Sequence, residues 1–302
     1  MTPAEFRERL AIPAIVAPMF LVSGPDLVVE CCKAGLAGTF PALNQRTSEG
    51  FEEWLEEIQE RLGPDDAPYG VNLIVHKSNP RVQADLELCV KHKVPFIITS
   101  LGAVSELVEA VHSYGGMVFH DVTTVRHAQK AAEAGVDGLI AVAAGAGGHA
   151  GKMSPFALTS EIREFFDGIL ILSGAMSHGR QIAAAEVMGA DYGYLGSHFI
   201  PAHESMAVDE QKQMMTELTM KDITYTDKVT GVGANFMTPS LNAASLEHAP
   251  GEMSLNEEAK AWKTIWSAGH GVGATKSSRS AKELSEELIA QYREAKEKFC
   301  AG

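Results

Sequence analysis

His149 stands in a run of residues with almost no side chain, Ala144-Gly145-Ala146-Gly147-Gly148-His149-Ala150-Gly151. A histidine packed into a core has bulky apolar neighbours. One set among glycines points instead into a cavity, where an imidazole titrating near pH ~6.5 can take or give a proton. Gly147 and Gly148 let backbone N–H groups approach a ligand closely. The alternative is a structural turn with an incidental histidine. Two further runs are rich in Gly and Ser: Leu172-Ser173-Gly174-Ala175-Met176-Ser177-His178-Gly179-Arg180 and Leu195-Gly196-Ser197-His198-Phe199. Taken together they suit a phosphorylated ligand, held by backbone amides with the Ser173 and Ser197 hydroxyls as extra donors. Neither run is a G-x-x-x-x-G-K-[ST] loop, which argues against a nucleoside triphosphatase.

Two more positions are candidates for a binding site. In Ala17-Pro18-Met19, Pro18 lacks an N–H and stiffens the chain, and a cofactor ring could lie against Met19. Plain filling of the interior is an equal reading. Asn72 offers an amide that can make two contacts to a polar ring edge, or can bond the backbone as a buried residue. His76, His120, His127, His178, His198, His203 and His270 show no metal-ligand spacing, so no metal is expected. Cys31, Cys32, Cys89 and Cys300 form no C-x-x-C pair. A disulfide framework and a zinc site are therefore both disfavoured, and Cys31 and Cys32 read as small core residues.

The elements that must position these residues alternate along the chain. Apolar runs at 14–19, 37–43, 69–75, 96–101, 117–122, 138–144, 169–174 and 192–199 are mostly continuous, as strands buried on both faces should be. Helical patterns lie between them: one after Ser23 with Pro25 and Asp26 in its first turn, then 48–62, 80–93, 104–114, 125–134, 160–166 and 180–188. Gly35, Gly115, Gly135 and Gly189 stand where left-handed helix ends belong. Eight β-then-α units predict an α/β fold, a (β/α)8 TIM barrel, whose chemistry collects at the C-terminal ends of the strands. Residues 205–274 read as a mainly helical cap inserted after the eighth strand, with a loop at 238–251. The barrel then comprises 1–204 and 275–302, closed by a charged helix at 280–298.

Composition sets the class. The 302 residues carry 25 Lys and Arg against 39 Asp and Glu, a formal charge of −14, with 45% hydrophobic and 21% charged residues. That balance suits a globular protein and lacks the basic face of a nucleic-acid binder. No apolar run reaches the ~18 residues of a membrane span. The first residues, MTPAEFRERL, lack the basic and apolar regions of a signal peptide, so a cytoplasmic address is expected.

Several motifs together resemble those of the nitronate monooxygenases, once called 2-nitropropane dioxygenases. They are Ala17-Pro18-Met19, the Gly145 to Gly151 loop, Leu172-Ser173-Gly174-Ala175, and Gly189-Ala190-Asp191-x-x-Tyr194-Leu195-Gly196-Ser197-x-Phe199. The FMN-dependent enoyl-ACP reductases share this layout and a similar Gly-Gly-His loop. The resemblance runs from about residue 14 to 273 and implies a TIM barrel that binds FMN non-covalently beneath a helical cap. By the same resemblance, Ala17, Pro18 and Met19 would face the isoalloxazine ring, and Asn72 would meet its polar edge or the ribityl chain. Gly147 and Gly148 would approach the flavin by backbone; Ser173, Gly174, Ala175, Gly196 and Ser197 would hold the phosphate. His149 would be the catalytic histidine. Many family members carry Lys beside the flavin after the fifth strand, where this chain has Asp121. A cation there favours the anionic reduced flavin and a carboxylate disfavours it.

The implied reaction is oxidation of an alkyl nitronate, or a nitroalkane, with O2 to a carbonyl compound and nitrite. The implied partners are a small nitro compound and O2, in a protein compatible with a homodimer. The rivals are an FMN-dependent NAD(P)H:quinone reductase or enoyl-ACP reductase. Net acidity argues against docking an acidic carrier protein. A non-catalytic FMN or phosphate-binding scaffold, and a sugar-phosphate isomerase using Asp121 as base, are more distant alternatives.

Overall fold

The computed structural model describes residues 1–76, 78–102, 105–229, 231–244 and 261–301. Eight parallel strands form one sheet: β1 (Ala14–Val16), β2 (Thr39–Pro41), β3 (Gly70–Ile74), β4 (Phe96–Ser100), β5 (Met117–Val122), β6 (Gly138–Val142), β8 (Ile169–Ser173) and β9 (Tyr192–Leu195). Their order is β2-β3-β4-β5-β6-β8-β9-β1, and the two outer strands meet through the parallel bridge Ile15↔Ala37 and the bond Val16 N–H to Ala37 O at 2.8 Å. The sheet therefore rolls into the expected (β/α)8 barrel. Nearly every strand residue is buried, because helices cover the outside while side chains fill the inside.

Helices α2 (Pro25–Lys33), α3 (Ser48–Arg61), α4 (Val82–Lys91), α5 (Ser105–His112), α6 (Val125–Glu133), α7 (Pro155–Arg163) and α8 (Gly179–Val187) each return the chain to the next strand. The final helix, α11 (Ala281–Ala301), packs against α8 and α2. Gly35, Gly115, Gly135 and Gly189 take φ of +90°, +84°, +85° and +99°, the left-handed helix ends that their spacing called for. The first residue expected for α5, Val104, lies outside the described residues.

A short helix not anticipated from the sequence, α1 (Pro3–Glu8), closes the N-terminal end of the barrel. Thr2 caps it: Glu5 N–H donates to Thr2 Oγ1 at 3.2 Å, and Thr2 N–H donates to Glu5 Oε2 at 2.6 Å. Its Phe6 is fully buried and meets Phe96, Phe119 and Tyr192 edge-on, at ring separations of 5.2, 5.8 and 5.4 Å. Burial of such a ring contributes about 1.5–3 kcal/mol.

Two expectations need correction. The helix placed at 160–166 starts earlier, at Pro155, where Ser154-Pro155 supplies the helix start. The insertion carries helices, α9 (Asp209–Glu217) and α10 (Thr238–Ala243), but also an antiparallel pair, β10 (Ile223–Thr226) and β11 (Ala234–Met237). Of the loop expected at 238–251, the first part is α10, and 245–251 lies outside the described residues.

Candidate active site at the barrel mouth

The glycine-rich loop leaves β6 and contributes a strand of its own. In β7 (Gly148–His149), Gly148 pairs with Asn235 and His149 with Ala234 of β11, making a three-stranded sheet β10-β11-β7. Ala150 N–H extends it to Gly233 O at 3.1 Å. Asn235, 1% exposed, donates from Nδ2 to Ala146 O at 2.7 Å, while its Oδ1 is buried without a partner. Gly148 sits at φ +67°, a conformation that a β-branched or bulky residue would resist. The histidine's backbone is thus clamped by the insertion. Its ring stands edge-on to Trp262, with centroids 5.8 Å apart and planes at 85°. Burial pushes the imidazole below its ordinary pKa, so it is mainly neutral at pH 7.

The two Gly/Ser runs leave the barrel side by side, since Ser173 of β8 is in register with Tyr194 of β9. Gly174 has φ +141° and Ala175 φ +56°, the latter rare for a residue with a side chain. Ala175 N–H donates to Gly145 O at 3.2 Å, which ties the second run to the first. Residues 267–273 of the insertion fold down onto both. Gly269 N–H donates to Ser197 Oγ at 2.7 Å and His270 N–H to Gly145 O at 2.9 Å. A side chain on Gly147 would come within 2.8 Å of Gly269 N, so this glycine makes room for the cap loop. Ser197 Oγ accepts from Gly269 and keeps its own O–H to donate.

Ala17, Pro18 and Met19 are half-buried at the end of β1, and Met19 Sδ lies 3.5 Å from where a Gly196 Cβ would be. Asn44, which the sequence reading passed over, staples this exit. Its Nδ2 donates to Met19 O at 3.1 Å and Ser23 O at 2.7 Å, and its Oδ1 accepts from Leu21 N–H at 2.9 Å. Leu21 is held at φ +59°.

A polar chain crosses β3, β4 and β5. Asn72 Nδ2 donates to Ile98 O at 3.2 Å and to Ser100 Oγ at 2.7 Å, and Ser100 Oγ donates to Asp121 Oδ2 at 2.6 Å. Asp121 Oδ1 is sealed from solvent and has no partner. Burial lifts this carboxyl to about 6, opposed by the Ser100 hydrogen bond. His120, next in the chain, faces away and meets Thr99 Oγ1 at 2.7 Å through Nδ1. His178 caps α8, accepting from Arg180 N–H at 3.1 Å. Among the described residues, the group spaced for a metal is Glu52, Glu56 and His92, on the α3–α4 surface. There Glu52 is already held by Lys91 Nζ at 2.5 Å and His92 Nε2 at 3.0 Å. A cavity of about 280 Å³ between α6 and α7 is lined by none of the candidate site residues.

Sequence and fold can be compared with those of known proteins. Residues 7–291 match the family model of nitronate monooxygenase. The chain belongs to that family. It is 27% identical over 237 residues to a (3aS,4S,5R,7aS)-5-hydroxy-7a-methyl-1-oxo-octahydro-1H-indene-4-carboxyl-CoA dehydrogenase of Rhodococcus jostii, covering 78% of this chain and 65% of that protein. It is 27% identical over 245 residues to a nitronate monooxygenase of Neurospora crassa, covering 68% of this chain and 64% of that protein. The chain thus spans just under two thirds of the length of both relatives. In fold it is similar to nitroalkane oxidase from Streptomyces ansochromogenes, with a TM-score of 0.86, 23% identity, and coverage of 97% and 99% of the two chains. Nitronate monooxygenases are flavin-dependent oxidoreductases acting on small nitro compounds with oxygen. Among the described residues, no helix is long and apolar enough to cross a membrane.

Proposed function

We propose that this chain binds FMN across the barrel mouth and oxidises alkyl nitronates with O2 to carbonyl compounds and nitrite. What carries the reading is His149, fixed by β-pairing with the insertion beside loops whose backbone is shaped for close approach. The residues present fit the cofactor. Gly145, Gly148, Gly174 and Ala175 adopt left-handed or related positive-φ conformations that a phosphate loop exploits. Ser173 and Ser197 add hydroxyls, and the buried acceptor Asn235 Oδ1 has no partner within the chain.

When bound, the flavin supplies the redox chemistry. The chain's own residues supply position and proton handling. Ser173, Gly174, Ala175, Gly196 and Ser197 would hold the phosphate through N–H and O–H donors. Ala17, Pro18 and Met19 would flank the ring. Asn72 spends its Nδ2 on Ile98 and Ser100, which leaves its amide oxygen for a donor on the cofactor. Gly147 and Gly148 bring the loop backbone close. His149, neutral near pH 7, takes the proton from the carbon beside the nitro group when the substrate arrives as a neutral nitroalkane. Trp262 stands edge-on behind the imidazole. In this division of labour the barrel (1–204 and 275–302) holds the cofactor and the insertion (205–274) lines the substrate side. A cytoplasmic address and a homodimer complete the proposal.

The test is the visible spectrum of the purified protein, followed by anaerobic mixing. We expect a yellow protein that is bleached by an alkyl nitronate and releases nitrite once air is admitted. Bleaching by NADH or NADPH with no response to nitronate would overturn the reading in favour of an NAD(P)H-dependent reductase.

A further inference from the structure

The carboxyl of Asp121 is not explained by the proton transfer assigned to His149. It is the penultimate residue of β5, at the mouth end of the strand. Its surroundings are directional. Ser100 Oγ accepts from Asn72 Nδ2, so the single Ser100 proton is committed to Asp121 Oδ2. That leaves Oδ1 buried with nothing to receive. A buried carboxylate with one hydrogen bond is poorly compensated, and a proton on Oδ1 would remove its charge. Among the described residues, no Lys or Arg forms an ion pair with it; burial and the Ser100 bond are what set its affinity for a proton.

The other titratable groups nearby stay neutral. The Tyr194 phenol, on β9, feels the Asp121 charge and is held well above its ordinary value by burial. His120 lies on the opposite face of β5, hydrogen-bonded to Thr99 and pushed down to about 4. Ser100 and Asn72, on β4 and β3, carry no charge. Asp121 is therefore the member of this group whose charge can change near neutral pH.

Resting on the flavin reading above, we infer that Asp121 takes up a proton from solvent when the flavin at the mouth gains negative charge on reduction. The electrons pass from the reductant, a nitronate in turnover, to the flavin; the proton adds to the carboxylate at Oδ1 and no bond of the chain is broken. The coupling is reciprocal. Reduction raises the carboxyl's affinity for a proton, and protonation makes the flavin easier to reduce.

The experiment is a potentiometric titration of the FMN-loaded protein with dithionite as reductant, from pH 5 to 8.5, for the wild type, Asp121→Asn and Ser100→Ala. Asparagine mimics the neutral acid and still accepts from Ser100. The wild-type midpoint should fall with one extra proton per two electrons in a window that opens above the carboxyl's own titration. Asp121→Asn should lack that window, match the wild type at the acid end and be more easily reduced at the alkaline end. Ser100→Ala removes the bond that favours the carboxylate, so the lower edge of the window should move to higher pH. Equal slopes in loaded wild type and Asp121→Asn would overturn the inference. Should Asp121→Asn not fold, an unmoved window in Ser100→Ala would overturn it equally. A wild type that takes up no flavin overturns the flavin reading and this inference with it.

Discussion

At its N-terminal end the barrel interior is filled by Phe6, Phe96, Phe119 and Tyr192, four rings meeting edge to face or tilted. At the opposite end the same cylinder is surrounded by Gly145, Gly148, Gly174 and Ala175 in positive-φ conformations, with Asp121 Oδ1 and Asn235 Oδ1 lacking partners. One end is filled by packed aromatic rings. The other gives up side-chain volume and leaves buried acceptors unpaired. The contrast separates stability from chemistry along a single axis, as barrels of this kind generally do.

Substitutions at the two ends should therefore fail in different ways. His149→Ala should lower turnover by about 10²–10⁴-fold, the range a positioned acid or base contributes, while FMN content and melting temperature stay near those of the parent. Equal turnover in purified variant and parent would remove the histidine from the mechanism. Phe6→Ala should do the reverse. It should cost about 3–5 kcal/mol in denaturant unfolding, with flavin stoichiometry and turnover per folded molecule retained. If Phe6→Ala altered turnover as strongly as stability, the two ends would not be independent.

The smallest effect expected is a pH dependence set by His198, the residue after Ser197. His198 is 4% exposed, meets Thr275 Oγ1 at 3.1 Å and is pushed down to about 4 by burial. Unfolded, it would titrate near pH ~6.5, so the unfolded chain binds more protons as the pH falls. Stability is lost from about pH 6.5 downward and the loss is complete below 4, reaching roughly 2 kcal/mol at pH 5. His198→Asn should flatten that limb by the same amount. Asp121 works in the opposite sense: its raised value means that acidification through 6 relieves a buried charge. Unfolding free energies of both variants between pH 7 and 5 would resolve the two slopes.

The barrel strands could be read from sequence because burial on both faces writes them as continuous apolar runs. The left-handed glycines at 35, 115, 135 and 189 then marked where each helix turned back. α1 was missed because six residues carry too little periodicity, although Thr2-Pro3-Ala4-Glu5 is a capping box. β10 and β11 were missed because their pairing is tertiary. A two-residue strand such as β7 has no signature of its own and exists only where β11 lies beside it. Of the candidate residues, the structure gathers Gly147 with Ser197 and the 269 loop, Gly145 with Ala175, Met19 with Gly196, and Asn72 with Asp121 through Ser100. Asn44 and Asn235 went unseen because their partners stand some 20 to 90 residues away in the chain. Side-chain amides carry no trace of such partners in local sequence.

The pairing of His149 with Ala234 has a consequence for biosynthesis. A chain emerging from the ribosome completes its eighth stave by residue 195, but the rung that clamps the histidine is not made until some forty residues later. Translation thus delivers the scaffold before His149 is seated. A half-made protein lacks the rung at His149, which arrives only as the last quarter of the polypeptide docks.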